Sequence, residues 1–267
     1  MSKAIIQGAI TVLLFLATWF ALARIDWTTR FKIKQVTDKT EEKLGSLFWE
    51  VFRKAEKEIK TPLVVTTTDS LTSLICKANH IPRGAIKVHI LAKNEINAFA
   101  LPGGHLIVYS GLIASAENAE ELCGVISHEM AHITLNHVMK KLIKEVGLSA
   151  LISMTNGNGG TEIIKATAKI LSSTAFDRSL EKAADLKAVD YLVQAGIRPE
   201  PFADFLYRLA EKENGPNTHL AWLSTHPDSR ERAGYILAYS RPKKKNFLPI
   251  LPAKTWSRLK AELTIAP

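Results

Sequence analysis

The chain has 267 residues, 46% hydrophobic and 23% charged, enough for one core-forming domain plus an anchor, although length alone would allow two domains. A formal charge of +9 fits either nucleic acid or an anionic membrane surface. No zinc ribbon, phosphate-cradling glycine loop or aromatic RNA-binding strand accompanies that charge, so a nucleic-acid partner is set aside in favour of membrane lipid.

Residues 4–23 contain no charge, just long enough to cross a bilayer as a helix. A cleaved signal peptide competes, because Ala21-Leu22-Ala23 forms a cleavage-type site after the short basic start at Lys3. The apolar stretch is long for a signal sequence and meets no helix breaker, which favours a single-pass anchor in a bacterial cell membrane. Arg24, Arg30, Lys32, Lys34 and Lys39 follow the span, and the positive-inside rule would keep the rest of the chain cytoplasmic. The expected organisation is an anchor with its basic flank over 1–33, a main domain over 34–240, and a basic, proline-containing surface tail over 241–267.

Residues 34–60 read as one amphipathic helix, with Leu44, Leu47, Phe48, Val51, Phe52, Ala55 and Ile59 on a single stripe facing the core. A helix lying on the membrane is the competing reading. Pro62 separates it from a shorter helix near 71–78. Strands are expected at 86–90, 97–101 and 105–109, with Pro102-Gly103-Gly104 turning between the last two. His89 and His105 read as structural or exposed. Cys76 and Cys123 imply no disulfide framework, and a single bridge and two buried thiols both stay open.

A helix is predicted over 118–146, from the recurrence of Leu122, Val125, Ile126, Ile133, Leu135 and Val138. Asn118 and Glu121 form its capping-box-like start. Within it lies His128-Glu129-Met130-Ala131-His132. Histidines four apart project from one helical face and can reach one zinc ion. Glu129, rotated by roughly 100°, borders the metal without ligating it and suits a general base acting on water. An ordinary polar helix face is the bland alternative, but two histidines and a glutamate amid apolar neighbours are costly to bury without a task. His137 falls half a turn out of phase if the helix continues, and no glycine interrupts it, so it reads as a non-ligand.

Residues 154–160 read as a flexible loop, either a lid or a plain connection. A second metal-bearing helix follows, with Asp177 as N-cap. Glu181 and Asp185 share one of its faces. Alone they read as solvated acids; paired with the upstream histidines, Glu181 becomes the third metal ligand. Asp185 can then accept a hydrogen bond from the distal N–H of a ligating histidine. This helix is expected to stop at Gly196, and another covers 201–212.

Four pieces in order carry a family resemblance: Asn97-Ala98-Phe99-Ala100-Leu101-Pro102-Gly103-Gly104, then His128 to His132, then Arg178 to Asp185, then Thr225-His226-Pro227. Together the chain resembles, over roughly 34–239, the membrane-linked gluzincin peptidases that include the CAAX prenyl protease, HtpX and the Oma/BepA-type enzymes. The resemblance implies an α+β, mainly helical zincin-type domain with its active-site helix packed on a small antiparallel sheet, plus one N-terminal transmembrane helix. It implies that the strand His105, Leu106, Ile107, Val108 and Tyr109 borders the cleft, where an edge could pair with an extended peptide. It brings His226 to the active site, with a hydrogen bond to the oxyanion as its candidate role. Arg178 is a second candidate for that contact, against a plain salt bridge. Similarity to the BepA type points the domain outward, opposite to the charge rule.

The resulting expectation is an endopeptidase with one Zn2+ per chain, cutting extended or misfolded polypeptides, with Glu129 as base. Two rivals stand: a membrane-tethered holding factor with structural zinc, and a latent protease needing activation.

Overall fold

The computed structural model describes residues 3–23, 33–212, 221–243 and 246–265. Compactness divides the chain into Met1–Thr40 and Glu41–Pro267. In the first unit, helix α1 spans Lys3–Ala23. Thr11 and Thr18 return their hydroxyls to the Gln7 and Leu14 carbonyls, so the helix satisfies these polar groups internally. Among the described residues no helix is long and apolar enough to cross a membrane. Arg24, Arg30 and Lys32 of the expected basic flank lie outside the described residues.

Helix α2, Ile33–Ala55, delivers Leu44, Phe48 and Phe52 to the core of the second unit. It stops short of the predicted Lys60. Ile59 N–H instead bonds the Ile90 carbonyl at 2.8 Å, and Glu58 forms a bridge with Leu91. Helix α3, Pro62–Ala78, starts well before the predicted 71, with Pro62 opening it rather than separating it. Thr66, Thr68 and Thr72 each bond a carbonyl four residues back, which keeps their hydroxyls satisfied inside the helix.

The three strands are β1 (Lys87–Leu91), β2 (Ala98–Ala100) and β3 (His105–Tyr109), in the order β1-β3-β2. The sheet is mixed, not antiparallel: β1 pairs β3 in parallel and β2 pairs β3 antiparallel. The chain between β1 and β2 carries it to the far side of where β3 inserts, so β3 is central. The expected free edge at 105–109 is therefore absent, and β2 has the edge away from β3. The turn into β3 needs its glycines. Gly104 sits at φ +76, and a Cβ there would fall 2.0 Å from the Ala85 carbonyl oxygen.

The two faces of β3 feed two core clusters. Leu106 and Val108 join Val125, Ile126 and Met130, while Ile107 and Tyr109 join Phe48, Phe52 and Phe99. Helix α4 (Ser110–Ser115) then leads to α5 (Ala119–Thr134), capped as predicted by the Asn118 side chain accepting from Glu121 N–H at 3.0 Å. The predicted single helix over 118–146 breaks after α5. Asn136 adopts φ 56, a left-handed conformation asparagine tolerates, and α6 restarts at His137–Val146.

Helix α7 (Leu148–Ser153) and a π-type turn at Met154–Asn158 lead into α8 (Thr161–Ser173), a helix not among the expected elements. Helix α9 (Arg178–Gln194) packs across α5, as does α10 (Glu200–Lys212). At the α5–α10 crossing a Cβ on Gly124 would meet Phe202 at 2.4 Å, so only glycine allows this approach. Helices α11 (Ala221–Thr225) and α12 (Ser229–Ser240) follow. The C-terminal segment is not wholly a surface tail. Helix α13 (Ala253–Ile265) buries Trp256, Leu259 and Leu263 in the main core. Lys244, Lys245 and Pro267 of the expected tail lie outside the described residues. Cys76 and Cys123 are both buried free thiols.

Candidate active site

Helices α5 and α9 cross so that His128 and His132 of one face Glu181 of the other, and the chain after α11 adds His226. One ligand atom from each of these four residues lies within 4.8 Å of all the others, and all four are buried. His128 Nε2 and His132 Nε2 are 3.0 Å apart. Glu181 Oε1 is 3.3 Å from His132 Nε2, and its Oε2 is 3.5 Å from His128 Nε2. His226 Nδ1 lies 3.0 Å from Glu181 Oε1 and 3.3 Å from His128 Nε2.

Asp185, one turn after Glu181, accepts from His128 Nδ1 at 2.8 Å. Arg232 of α12 grips the same carboxylate with Nε and Nη2, each at 2.8 Å, and reaches Glu181 Oε2 with Nη1 at 2.8 Å. Tyr235 donates its hydroxyl to Asp185 Oδ2. Burial would raise the Asp185 carboxyl, but Arg232 and His128 outweigh it and hold it well below the usual carboxylate range. An ionised Asp185 can only accept, so the His128 proton sits on Nδ1 and Nε2 offers a lone pair. His132 Nδ1 is 3.2 Å from His137 Nδ1. With its proton donated there, His132 Nε2 offers a second lone pair.

Burial likewise would raise Glu181, yet neighbouring His226, Arg232 and His128 keep it well below its ordinary value. Burial pushes His226 itself down to about 4 and His132 far below the usual histidine range, whereas Arg232 stays charged beside Glu181. Two lone pairs and a carboxylate thus converge at separations of 3.0–3.5 Å. Ligands at about 2.0–2.2 Å from a tetrahedral ion are themselves roughly 3.3–3.5 Å apart. The donors present fit a small cation that accepts nitrogen and oxygen ligands.

Glu129 points beside this cluster and is fully buried; the Ala100 backbone N–H acts on its carboxylate, and no side chain hydrogen-bonds either oxygen. His226 Nε2 lies 3.3 Å from Oε1 and is itself without a hydrogen bond. Burial, reinforced by Glu181, pushes Glu129 well above the usual carboxylate range. Buried acids with raised proton affinity cluster at functional sites.

The sequence reading and the geometry differ in several places. Arg178 stands apart from the cluster, exposed and paired with Asp228 at 2.9 Å. The cation beside the acids is Arg232, for which the sequence offered no signal. Asp177 makes no side-chain cap; its carboxylate binds Lys144 at 2.7 Å. His137 is outside the four-residue cluster, but the helix break turns it back onto His132. His105, with Ile107 and Tyr109, belongs to the central strand and does not line the cluster. A cleft of about 550 Å³, bordered by Arg178, Pro227, Arg232 and Tyr235, reaches the cluster at Glu181.

The profile of peptidase family M48 matches residues 67–239, spanning both metal-facing helices and His226. The chain is 25% identical over 228 residues to the beta-barrel assembly-enhancing protease of Yersinia pestis, covering 78% of this chain and 47% of that protein. It is 31% identical over 165 residues to the metalloprotease LoiP of Escherichia coli K12, covering 59% of this chain and 64% of that protein. Similarity to the bovine mitochondrial metalloendopeptidase OMA1 is 28% over 163 residues, covering 56% of this chain and 31% of that protein. By the family match, which spans most of its length and all four cluster residues, the chain belongs to peptidase family M48.

Proposed function

We propose that this protein is a zinc-dependent endopeptidase that cuts extended or misfolded polypeptides, with one zinc held by His128, His132 and Glu181. The observation that supports this reading is the meeting of three buried donors, with no proton to share among them, beside the fully buried acid Glu129, whose affinity for protons burial raises. When bound, zinc supplies a Lewis acid that polarises the peptide carbonyl and acidifies water. Glu129, its affinity for protons raised by burial, takes the proton from the attacking water and passes it to the leaving amine. Asp185 fixes the His128 tautomer, and Arg232 keeps both Asp185 and Glu181 charged while bracing α9 to α12. The outer edge of β2, at Ala98, Phe99 and Ala100, is the backbone on which a peptide strand would lie, next to the α5 residue Glu129. Relatives named for β-barrel assembly make unfolded membrane-protein segments a fitting substrate class. Helix α1 would tether the enzyme beside such substrates.

A specific feature favours a latent resting state. His226 Nδ1 is a fourth donor to the cluster, and a zinc site with four protein ligands has no open position for water. Activation then requires His226 to withdraw. The test is to incubate the purified protein with casein, with and without chelator, beside Glu129→Gln, while measuring bound zinc. Chelator-sensitive cleavage lost in the variant supports the endopeptidase. One zinc per chain with no cleavage even after His226→Ala overturns it in favour of a holding factor.

A further inference from the structure

A second cleft, of about 540 Å³, opens between α6 and the start of α9. Lys140, Lys141, Lys144, Phe176, Asp177 and Leu180 are on its wall. Lys144 is committed to Asp177, and Glu145 is also present at the rim. Lys141 is different. Its side chain is buried, and its ammonium meets only the Thr174 carbonyl and the face of Phe176, 4.1 Å from the ring centroid. Among the described residues no carboxylate lies within ion-pair distance of it. Glu181, Glu129, Glu145 and Asp177 act on it only from beyond that distance, and a buried cation with no directly paired anion is a costly arrangement. Burial lowers it to about 8, which still leaves it mostly charged at neutral pH.

The same Phe176 ring lies 4.0 Å from the His132 ring. Lys141 Nζ is therefore no more than about 8 Å from that histidine, the reach of two or three residues of extended peptide at roughly 3.3 Å each. We propose that this cleft is a substrate subsite for a carboxylate, with Lys141 as its cation. The carboxylate comes from an acidic side chain two or three residues from the scissile bond, or from a peptide C-terminus. The proposal rests on the peptidase reading for its geometry, but binding alone can test it.

The experiment measures affinity, by fluorescence anisotropy, of full-length Glu129→Gln protein for three otherwise identical octapeptides. One is C-terminally amidated and carries a single Glu, one has Gln in its place, and one is the Gln peptide with a free C-terminal acid. About tenfold tighter binding of the Glu peptide than the Gln amide is expected, corresponding to one charge-assisted contact. A gain confined to the free-acid peptide would support the subsite with the C-terminus as its source. In Lys141→Met the ratio should collapse below about twofold, and in Lys141→Arg it should largely persist. Equal affinities, no binding of any peptide, or a ratio unchanged in Lys141→Met overturns the subsite. If Lys141→Met does not fold, the Glu-to-Gln peptide ratio in the parent protein decides. Chelator-sensitive casein cleavage with a ratio near one removes the subsite alone; a tenfold ratio with no cleavage even in His226→Ala removes the peptidase reading and keeps the subsite.

Discussion

Two histidine clusters flank the same small sheet, and their contrast shows what makes a metal site. On the α2 side, Trp49 stacks on His89 at 3.7 Å, His89 Nε2 meets His105 Nδ1 at 2.9 Å, and His89 Nδ1 faces Glu58 at 3.5 Å. Glu58, His89 and His105 Nδ1 stand in a line, and a proton in each of the two gaps satisfies those groups. In the α5–α9 cluster the nitrogens converge on one point, and the Arg232–Asp185 pair forces at least one lone pair inward. The same residue type therefore serves packing in one place and ligation in the other, and what decides is the direction of the lone pairs.

The contrast can be broken by substitution. The largest effect is expected for Glu129→Gln, which should retain zinc yet lose on the order of 10²–10⁴ in kcat. Near-normal turnover would remove Glu129 from the chemistry. Glu181→Ala should next strip zinc from the purified protein, measured as metal per chain, whereas His89→Gln and His105→Gln should leave it at the parent value. Asp185→Asn should weaken zinc affinity by about 10–100-fold in a competitive chelator titration, because the amide cannot hold the His128 tautomer as a carboxylate does.

The smallest effect sharpens the comparison from the packing side. Burial pushes His105 down to about 4, below the unfolded histidine value of about 6.5. Between those pH values the unfolded chain binds the proton and the fold does not, so stability falls as pH drops through that window. His89 is lowered too, again first by burial, although Glu58 opposes the shift. Thermal melts of His105→Gln from pH 7 to 4.5 should therefore lose less stability than the parent. An identical pH slope would contradict the buried neutral pair.

The residues of the candidate site are legible in the sequence where chemistry is local. His128, Glu129 and His132 show on one helix, and the i, i+4 spacing of Glu181 and Asp185 places both on one face of the next. Arg232 was not legible, because nothing in Ser229-Arg230-Glu231-Arg232 tells the buried arginine from its exposed neighbour; only the fold brings it to residues 47 and 51 positions earlier in the chain. The sheet was read with the right strands and the wrong pairing, since strand order depends on where the chain crosses rather than on any strand's own pattern. The break at Asn136 escaped because asparagine, unlike glycine, enters the left-handed region without announcing it. His137 was consequently judged on a helix phase that does not exist, and its contact with His132 went unseen.

The central claim is that His128, His132 and Glu181 share one metal ion while the second histidine cluster shares none. Anomalous diffraction at the zinc edge, on crystals of the purified protein, tests it most directly. The account predicts a single peak within about 2.0–2.2 Å of His128 Nε2, His132 Nε2 and a Glu181 carboxylate oxygen. A peak at His89 and His105 instead, or none at the α5–α9 crossing in zinc-replete protein, would contradict it.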